Sequence, residues 1–184
     1  DAFRMGIISD ESAGNNRPYD ESKIVGARNF CNKLWNIARF IEGLIGDDFS
    51  REEVQPVTAA DHWILSNLQR SSEKISVDIE NYRFAEAYST LYHFVWDDLA
   101  DWYVEASKAD PNKALLAHVL ENVLILAHPF APFLTETIWQ TLAWEENSIL
   151  ATRVLEASLE FDQQAANDFA QVQAIVTEVR FITK

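Results

Sequence analysis

Apolar residues recur mostly at intervals of three or four positions along this 184-residue chain. Such spacing places them on one side of an α-helix, so the pattern predicts a largely helical protein. The predicted helices cover about residues 21–42, 59–81, 84–108, 111–127, 133–142 and 163–184. One strand is predicted, over residues 148–157, and residues 1–19 are predicted to be irregular.

Capping and breaking residues set the predicted helix ends. Asp20 can cap the first helix, and Gly43 and Gly46 are predicted to end it. Asp110 and Pro111 form another predicted start, with Asp as the cap and Pro at the first helical position. Together with short connections, these signals predict an all-α fold, an antiparallel helix bundle followed by a short strand-containing piece.

The helix over 111–127 is predicted to lie at the centre of the bundle. Its residues are apolar almost all round, which is typical of a helix that other helices surround. A hydrophobic share of 48% agrees with a packed globular protein.

Composition also bears on the cell compartment. The single cysteine, Cys31, cannot form an internal disulfide, so a cytoplasmic location is expected. No apolar run approaches the roughly 20 residues that cross a bilayer, and we expect no contact with a membrane. The first residue is not Met and no signal-peptide pattern follows it, so we expect the chain to be part of a longer protein.

The net charge argues against a general nucleic-acid binder. The chain carries a formal charge of −14 and has a pI near 4.6, whereas affinity for phosphate backbones requires clustered Lys and Arg. One segment is an exception, because residues 22–41 contain four cationic residues and no acidic one. Contact with RNA would have to use this segment.

On a helical projection the segment 22–41 has two distinct sides. Counting roughly 100° per residue, a sector of about 140° holds polar and cationic residues together with one phenylalanine, Phe40. Its other members are Arg28, Asn29, Asn32, Lys33, Asn36 and Arg39. An exposed ring among amides and cations suits unpaired bases, which stack on the ring while the amides bind their edges. The alternative, which the pattern alone leaves open, is that Phe40 packs against another helix and the polar residues are merely solvated.

Four segments resemble the anticodon-binding region of valyl-tRNA synthetases, in the order that this family shows. They are ARNFCNKLWNIARF (27–40), DHWILS (61–66), FVWDDLADWY (94–103) and HPFAPFLTE (128–136). The last segment occurs in looser form in leucyl and isoleucyl enzymes, whereas the first and third are more typical of the valyl type. The resemblance covers roughly residues 20–142.

The resemblance implies a parent enzyme that joins valine to its tRNA with ATP and magnesium, in a class I catalytic domain. The motifs of that domain are absent from this sequence, so we expect no catalytic residue, metal or cofactor in this fragment. The implied organisation is a connector from the catalytic core at 1–19, the anticodon-binding bundle at 20–143, and the start of a truncated C-terminal region at 144–184.

In the family, the first helix of the bundle lies against the anticodon loop. The resemblance therefore implies that Lys33, Asn36, Arg39 and Phe40 contact the anticodon stem-loop of tRNA(Val), with Asn32 and Arg28 on the same face. Lys33 and Arg39 would pair with phosphates or base edges, Asn36 would hydrogen-bond a base, and Phe40 would stack. We expect the fragment to be monomeric.

A second constellation is an acidic stripe, in which an acidic residue or histidine recurs every four positions. Its members are His93, Asp97, Asp101 and Glu105. A metal site in a helix bundle would need Glu-x-x-His motifs on facing helices, and none occurs. We therefore expect the stripe to be solvated or paired with Arg residues of a neighbouring helix. Cys31 is expected to be a core residue and not a nucleophile.

A rival hypothesis is a non-catalytic helical module that binds protein and has lost RNA binding. It accounts for the acidic surface directly. Titration with anticodon stem-loops carrying valine or other anticodons discriminates the two hypotheses.

Overall fold

The computed structural model describes residues 1–9, 20–46, 54–144, 149–155 and 159–182. This part of the chain forms a bundle of α-helices and has no strand, which confirms the predicted all-α class. The helices are α1 (Ala2–Ile8), α2 (Glu21–Ile45), α3 (Ala59–Glu80), α4 (Phe84–His93), α5 (Val104–Ala106), α6 (Lys113–Ala127), α7 (Pro132–Leu142) and α8 (Gln163–Ile182). A π-helical segment, Phe94–Tyr103, joins α4 to α5 without a break.

The ends of α2 follow its sequence closely. The Asp20 carboxylate accepts a hydrogen bond of 2.8 Å from the backbone N–H of Ser22, which confirms the predicted cap. The predicted end at Gly43 is wrong, because the helix continues to Ile45, and Gly46, with a φ of 75°, is its C-cap. An exposed glycine inside a helix costs only about 1 kcal/mol, and burial of Ile45 offsets that cost.

The start of α3 is tied to two other parts of the bundle by Asp61. Its buried carboxylate accepts hydrogen bonds from the backbone N–H groups of Val57 and Thr58, at 2.9 and 3.1 Å. It also accepts from the Tyr103 hydroxyl at 2.8 Å and from the Asn112 amide at 3.0 Å. Burial and the Asp61 carboxylate raise the pKa of Tyr103, so its hydroxyl remains a donor. This network fixes the end of the π-helical segment and the start of α6 relative to α3.

The core lies around α6, most of whose residues are buried, as predicted for a central helix. Helices α2 and α7 pack on α6, and α3 packs against both α4 and α8. The ring of Phe169 on α8 lies 5.2 Å from that of Trp63 on α3. None of the helices described has the length and apolar character to cross a membrane.

Two predictions at the chain ends are wrong. Residues 1–19 were predicted to be irregular, but α1 forms within them because Met5 is fully buried and Gly6 lies closely against Ile24. The strand predicted at 148–157 is absent from 149–155, where a 3₁₀ turn covers Leu150–Thr152. Leu150 is buried there, and its N–H donates to a Glu136 carboxylate oxygen at 3.1 Å. The loop predicted over residues 10–19 lies outside the described residues.

The middle of the chain also differs from prediction. A single α-helix was predicted over 84–108, whereas the structure has the π-helical segment in its centre and ends α5 at Ala106. Asp110 and Pro111 do not start α6, which begins at Lys113 after an Asn112 cap. The Asn112 side chain accepts from the Leu115 N–H at 3.2 Å and donates to Asp61. The cap position is therefore set by the contact with α3, a tertiary constraint.

Candidate RNA-binding face

Helix α2 presents its polar residues outward and its apolar residues to the core. Phe30, Leu34 and Ile41 are fully buried. The outer face of α2 consists of Arg28, Asn29, Asn32, Lys33, Asn36, Arg39 and Phe40, all exposed except Lys33, which is partly exposed. The structure thus brings all six candidate residues onto one surface and confirms the predicted segregation.

The two edges of this outer face have different neighbours. At roughly 100° per residue, Arg28 and Arg39 lie at one edge and Lys33 and Phe40 at the other. A shallow groove runs beside Arg39, between α2 and α7, and its other lining residues include Trp35 and Leu142. The opposite edge faces the π-helical segment and α5. The outer face is therefore an open surface between two neighbouring helices.

Lys33 is held by the acidic stripe. Its Nζ atom lies 3.1 Å from Oδ1 of Asp101 and 4.9 Å from the centre of the Trp96 ring. The Lys33 side chain is 30% exposed and that of Asp101 is 53% exposed. Lys33 therefore reaches the surface with its charge already balanced by a carboxylate.

Phe40 is available at the surface. The residue is 38% exposed, and Nζ of Lys108 lies 5.6 Å from the centre of its ring. Lys108 in turn donates to Oε1 of Glu105 at 2.6 Å. The ring is not sealed inside the bundle, so a base could stack on its exposed part.

Lys108 extends the cationic surface beyond α2, and sequence reasoning missed it. It follows the end of α5 in the chain, and its nearness to Phe40 depends on how α5 packs beside α2. No spacing within the sequence reveals such a contact. The only available signal was its position directly after the acidic stripe.

The side chains of the remaining candidates have no partner within the described part of the chain. Among the residues that the structure describes, no hydrogen bond or ion pair involves the side chains of Arg28, Asn32, Asn36 or Arg39. Their guanidinium and amide groups can therefore donate to a ligand without first breaking a bond within the protein. Arg39 and Lys33, for which the sequence predicts the same role, thus differ in their electrostatic surroundings.

The acidic stripe is paired along its length. His93 Nδ1 lies 2.8 Å from Asp97 Oδ2, Asp101 pairs with Lys33, and Glu105 pairs with Lys108. The predicted pairing with a neighbouring helix therefore occurs at Asp101, although its partner is a lysine and not an arginine. In the described ranges no group of three or more His, Cys, Asp or Glu residues could hold a metal ion.

Two further titratable groups lie close to α2 or the stripe. Burial raises the pKa of the half-buried Cys31 thiol, whose Sγ lies 3.7 Å from Sδ of Met5. This environment suits core packing and not nucleophilic chemistry. Burial also raises the pKa of Asp98 to about 6, although the Asn67 amide donates to its carboxylate at 3.1 Å.

Comparisons with known proteins agree with this architecture. The chain is 36% identical over 197 residues to the valine–tRNA ligase of Geobacillus stearothermophilus, and 35% identical over 195 residues to that of Staphylococcus saprophyticus. Both similarities cover 98% of this chain and 22% of the relative. The chain thus spans about a fifth of the length of these curated relatives.

A solved structure shares the fold. LeuRS of Agrobacterium radiobacter K84, in a ternary complex with tRNA and LeuAMS, superposes with a TM-score of 0.66 over 90% of this chain and 20% of its own. The sequences are 18% identical, so this likeness concerns the fold alone. The family model described as the anticodon-binding domain of tRNA ligase matches residues 61–183. That match covers most of the chain, which therefore belongs to the family of tRNA ligase anticodon-binding domains.

Proposed function

We propose that this chain is the anticodon-binding region of a valine–tRNA ligase and that the outer face of α2 contacts the anticodon loop of tRNA(Val). Similarity to valine–tRNA ligases over 98% of the chain supports the enzyme type. The observation that carries the assignment of the face is local. A surface of guanidinium groups, amides and an exposed ring lies on a protein whose formal charge is −14.

Each group on the face has a distinct part in the proposed contact. Phe40 stacks on an unpaired base with the exposed part of its ring, and Asn36 hydrogen-bonds the edge of a base. Arg39 binds phosphate or a base edge with a guanidinium that makes no ion pair among the described residues. Arg28 and Asn32 extend the same surface toward the start of α2, and Lys33 adds a cation at the edge next to Asp101.

Recognition and catalysis are separate in this proposal. The whole protein attaches valine to tRNA(Val) with ATP and magnesium in the cytoplasm, and this chain contributes binding without a cofactor of its own. Within the chain, residues 20–143 form the anticodon-binding bundle, 1–19 connect it to the catalytic core, and 144–184 begin a C-terminal region. The isolated chain is monomeric.

A titration tests the proposal. The chain is titrated with RNA hairpins that carry either a valine anticodon or another anticodon on the same stem. We expect tighter binding of the valine hairpin, and Phe40→Ala should weaken it by about 1–3 kcal/mol because one base loses its stacking partner. Phe84→Ala is the matched control, since Phe84 is 42% exposed but lies at the start of α4, far along the bundle from Lys108.

Three outcomes would contradict the proposal. Equal affinity of wild type and Phe40→Ala would remove the ring from the contact. Binding that ignores the anticodon, or no binding at low salt, would favour the protein-interaction module instead.

A further inference from the structure

The cations around the proposed RNA contact fall into two groups. Arg28 and Arg39 have no ion pair among the residues described. Lys33 and Lys108, in contrast, each face a carboxylate of the acidic stripe, at 3.1 and 2.6 Å. The two paired lysines lie at the edge that holds Phe40, and Lys108 brings Glu105 close to the ring on which a base would stack. Asp101 lies beside Lys33, about two helical turns away along α2.

The distances in the two lysine–carboxylate pairs are close to those of a hydrogen bond between lysine and a phosphate oxygen. An ammonium group bound to a carboxylate oxygen at about 3 Å has one of its three N–H donors occupied and its charge balanced, so it attracts a phosphate less strongly than a free ammonium does. Both pairs are solvent-accessible, with Asp101 53% and Glu105 58% exposed, so an incoming phosphate can reach either lysine. Whether the phosphate takes the place of the carboxylate or binds a second N–H of the same ammonium, a carboxylate then lies close to the RNA backbone.

We propose that Asp101 and Glu105 compete with RNA phosphates for Lys33 and Lys108, so that binding depends on base contacts more than on backbone charge. This inference rests on the proposed function of the outer face of α2. An RNA that cannot stack on Phe40 gains little from the two lysines, because its phosphates then lie near two carboxylates as well as near the two ammonium groups. Repulsion of unsuitable partners is a recognised source of specificity.

The expected effect is modest because the pairs are exposed. Solvent-exposed ion pairs contribute little free energy, so removing the carboxylate of Asp101 or Glu105 should raise RNA affinity by only about two- to fivefold at low salt. The gain should be as large for hairpins with a wrong anticodon as for the valine hairpin, or larger, since phosphates are common to both. Discrimination between anticodons should therefore fall or stay level while affinity rises.

The opposite effect has an equally clear physical basis. Asp101 and the Trp96 ring could instead hold Lys33 in the orientation that RNA requires. Removing the carboxylate would then lower affinity, because Lys33 would lose its fixed position. The sign of the effect of Asp101→Asn distinguishes competition from positioning.

The test uses hairpin titrations of Asp101→Asn and of the matched control Asp97→Asn. Both substitutions remove one negative charge from the acidic stripe, at positions one helical turn apart. Asp97, however, pairs with His93 and not with a lysine beside the proposed RNA-binding face. We expect Asp101→Asn to bind both hairpins about two- to fivefold more tightly and Asp97→Asn to change little. Glu105→Gln should resemble Asp101→Asn. In a Lys33→Gln background the gain from Asp101→Asn should disappear.

Three results would overturn the inference. They are weaker binding by Asp101→Asn, equal gains from Asp97→Asn and Asp101→Asn, and a gain that persists without Lys33. If any of these occurs while Phe40→Ala still weakens anticodon-dependent binding, the competition fails and the proposed function stands. If the wild-type chain shows no anticodon dependence and Phe40→Ala has no effect, both proposals fail.

Discussion

Arg39 and Lys33 provide a test in which two cations of one surface behave differently. Arg39 is exposed, and its guanidinium has no ion pair within the residues that the structure describes. Lys33 lies 3.1 Å from the Asp101 carboxylate. Arg39→Gln should therefore remove an uncompensated positive charge from the RNA complex, whereas Lys33→Gln removes one whose neighbour already balances it.

Counterion release sets the expected difference in salt dependence between Arg39→Gln and Lys33→Gln. Each phosphate contact with a single strand adds about 0.7 to the slope of log affinity against log salt concentration. Over a tenfold change in salt, that slope amounts to about a fivefold change in affinity. Arg39→Gln should flatten the slope by about 0.7. Lys33→Gln should flatten it less, because Asp101 attracts a cation from solution when RNA draws Lys33 away.

Fluorescence anisotropy with a labelled valine hairpin, repeated over a series of salt concentrations, measures both slopes. Asn29→Gln, on the same outer face, serves as an uncharged control and should leave the slope unchanged. The reasoning is refuted if Arg39→Gln retains the wild-type slope. It is also refuted if Lys33→Gln flattens the slope more than Arg39→Gln does.

Two further predictions concern the fold itself. The pKa of Asp98 is raised to about 6 in the folded protein, above the usual value of about 3.9. The protonated carboxyl therefore favours the folded state. This contribution to stability is complete below about pH 4 and is lost as the pH rises through about 6. Asp98→Asn should therefore raise the free energy of unfolding at pH 7 by up to about 3 kcal/mol and change little at pH 4. The control is Glu86→Gln, which removes an exposed carboxylate that does not act on Asp98. A gain that is equal at both pH values would contradict this prediction. At Gly6 an added Cβ would lie 2.9 Å from Cγ1 of Ile24, so Gly6→Ala should destabilise the protein by about 1–3 kcal/mol in urea unfolding. Gly26→Ala adds a Cβ that meets nothing within 4 Å and should stabilise the protein by about 0.5–1 kcal/mol. A stable Gly6→Ala variant and a destabilised Gly26→Ala variant would show that α1 does not pack on α2 as described.

Local signals predicted α2 well because they act within one helix. The Asp20 cap depends on a hydrogen bond to a residue two positions away. The division of α2 into a buried and an exposed side depends only on the helical period, so Phe30 and Phe40 were placed on opposite sides correctly. These features need no knowledge of the rest of the fold.

Tertiary contacts decided the features that the sequence did not reveal. The start of α6 depends on Asn112, which caps the helix and also donates to Asp61, 51 positions earlier in the chain. The extended residues before and after Leu150 had strand-like composition but lack a partner strand in the described residues, and Leu150 instead packs near α7. The π-helical segment lies where Tyr103 must reach Asp61 and Asp101 must reach Lys33, and α-helical periodicity alone predicts neither contact.

The electrostatics of the site were predicted only in part. The sequence distinguished the cationic side of α2 from the acidic body. It could not show that Lys33 is paired with Asp101 while Arg39 has no ion pair in the ranges that the structure describes. Nor could it place Lys108 beside Phe40. Both facts depend on how α2 lies against the π-helical segment and α5, and they change which residue is expected to dominate the salt dependence.

Photo-crosslinking tests most directly whether the outer face of α2 contacts the anticodon. A valine hairpin in which 4-thiouridine replaces one loop uridine next to the intact anticodon is irradiated with the chain, and the modified peptide is identified by mass spectrometry. The account predicts adducts within residues 28–40 or at Lys108, and their loss when an excess of unlabelled valine hairpin is added. Adducts confined to α8 or to the turn between α3 and α4 would contradict it.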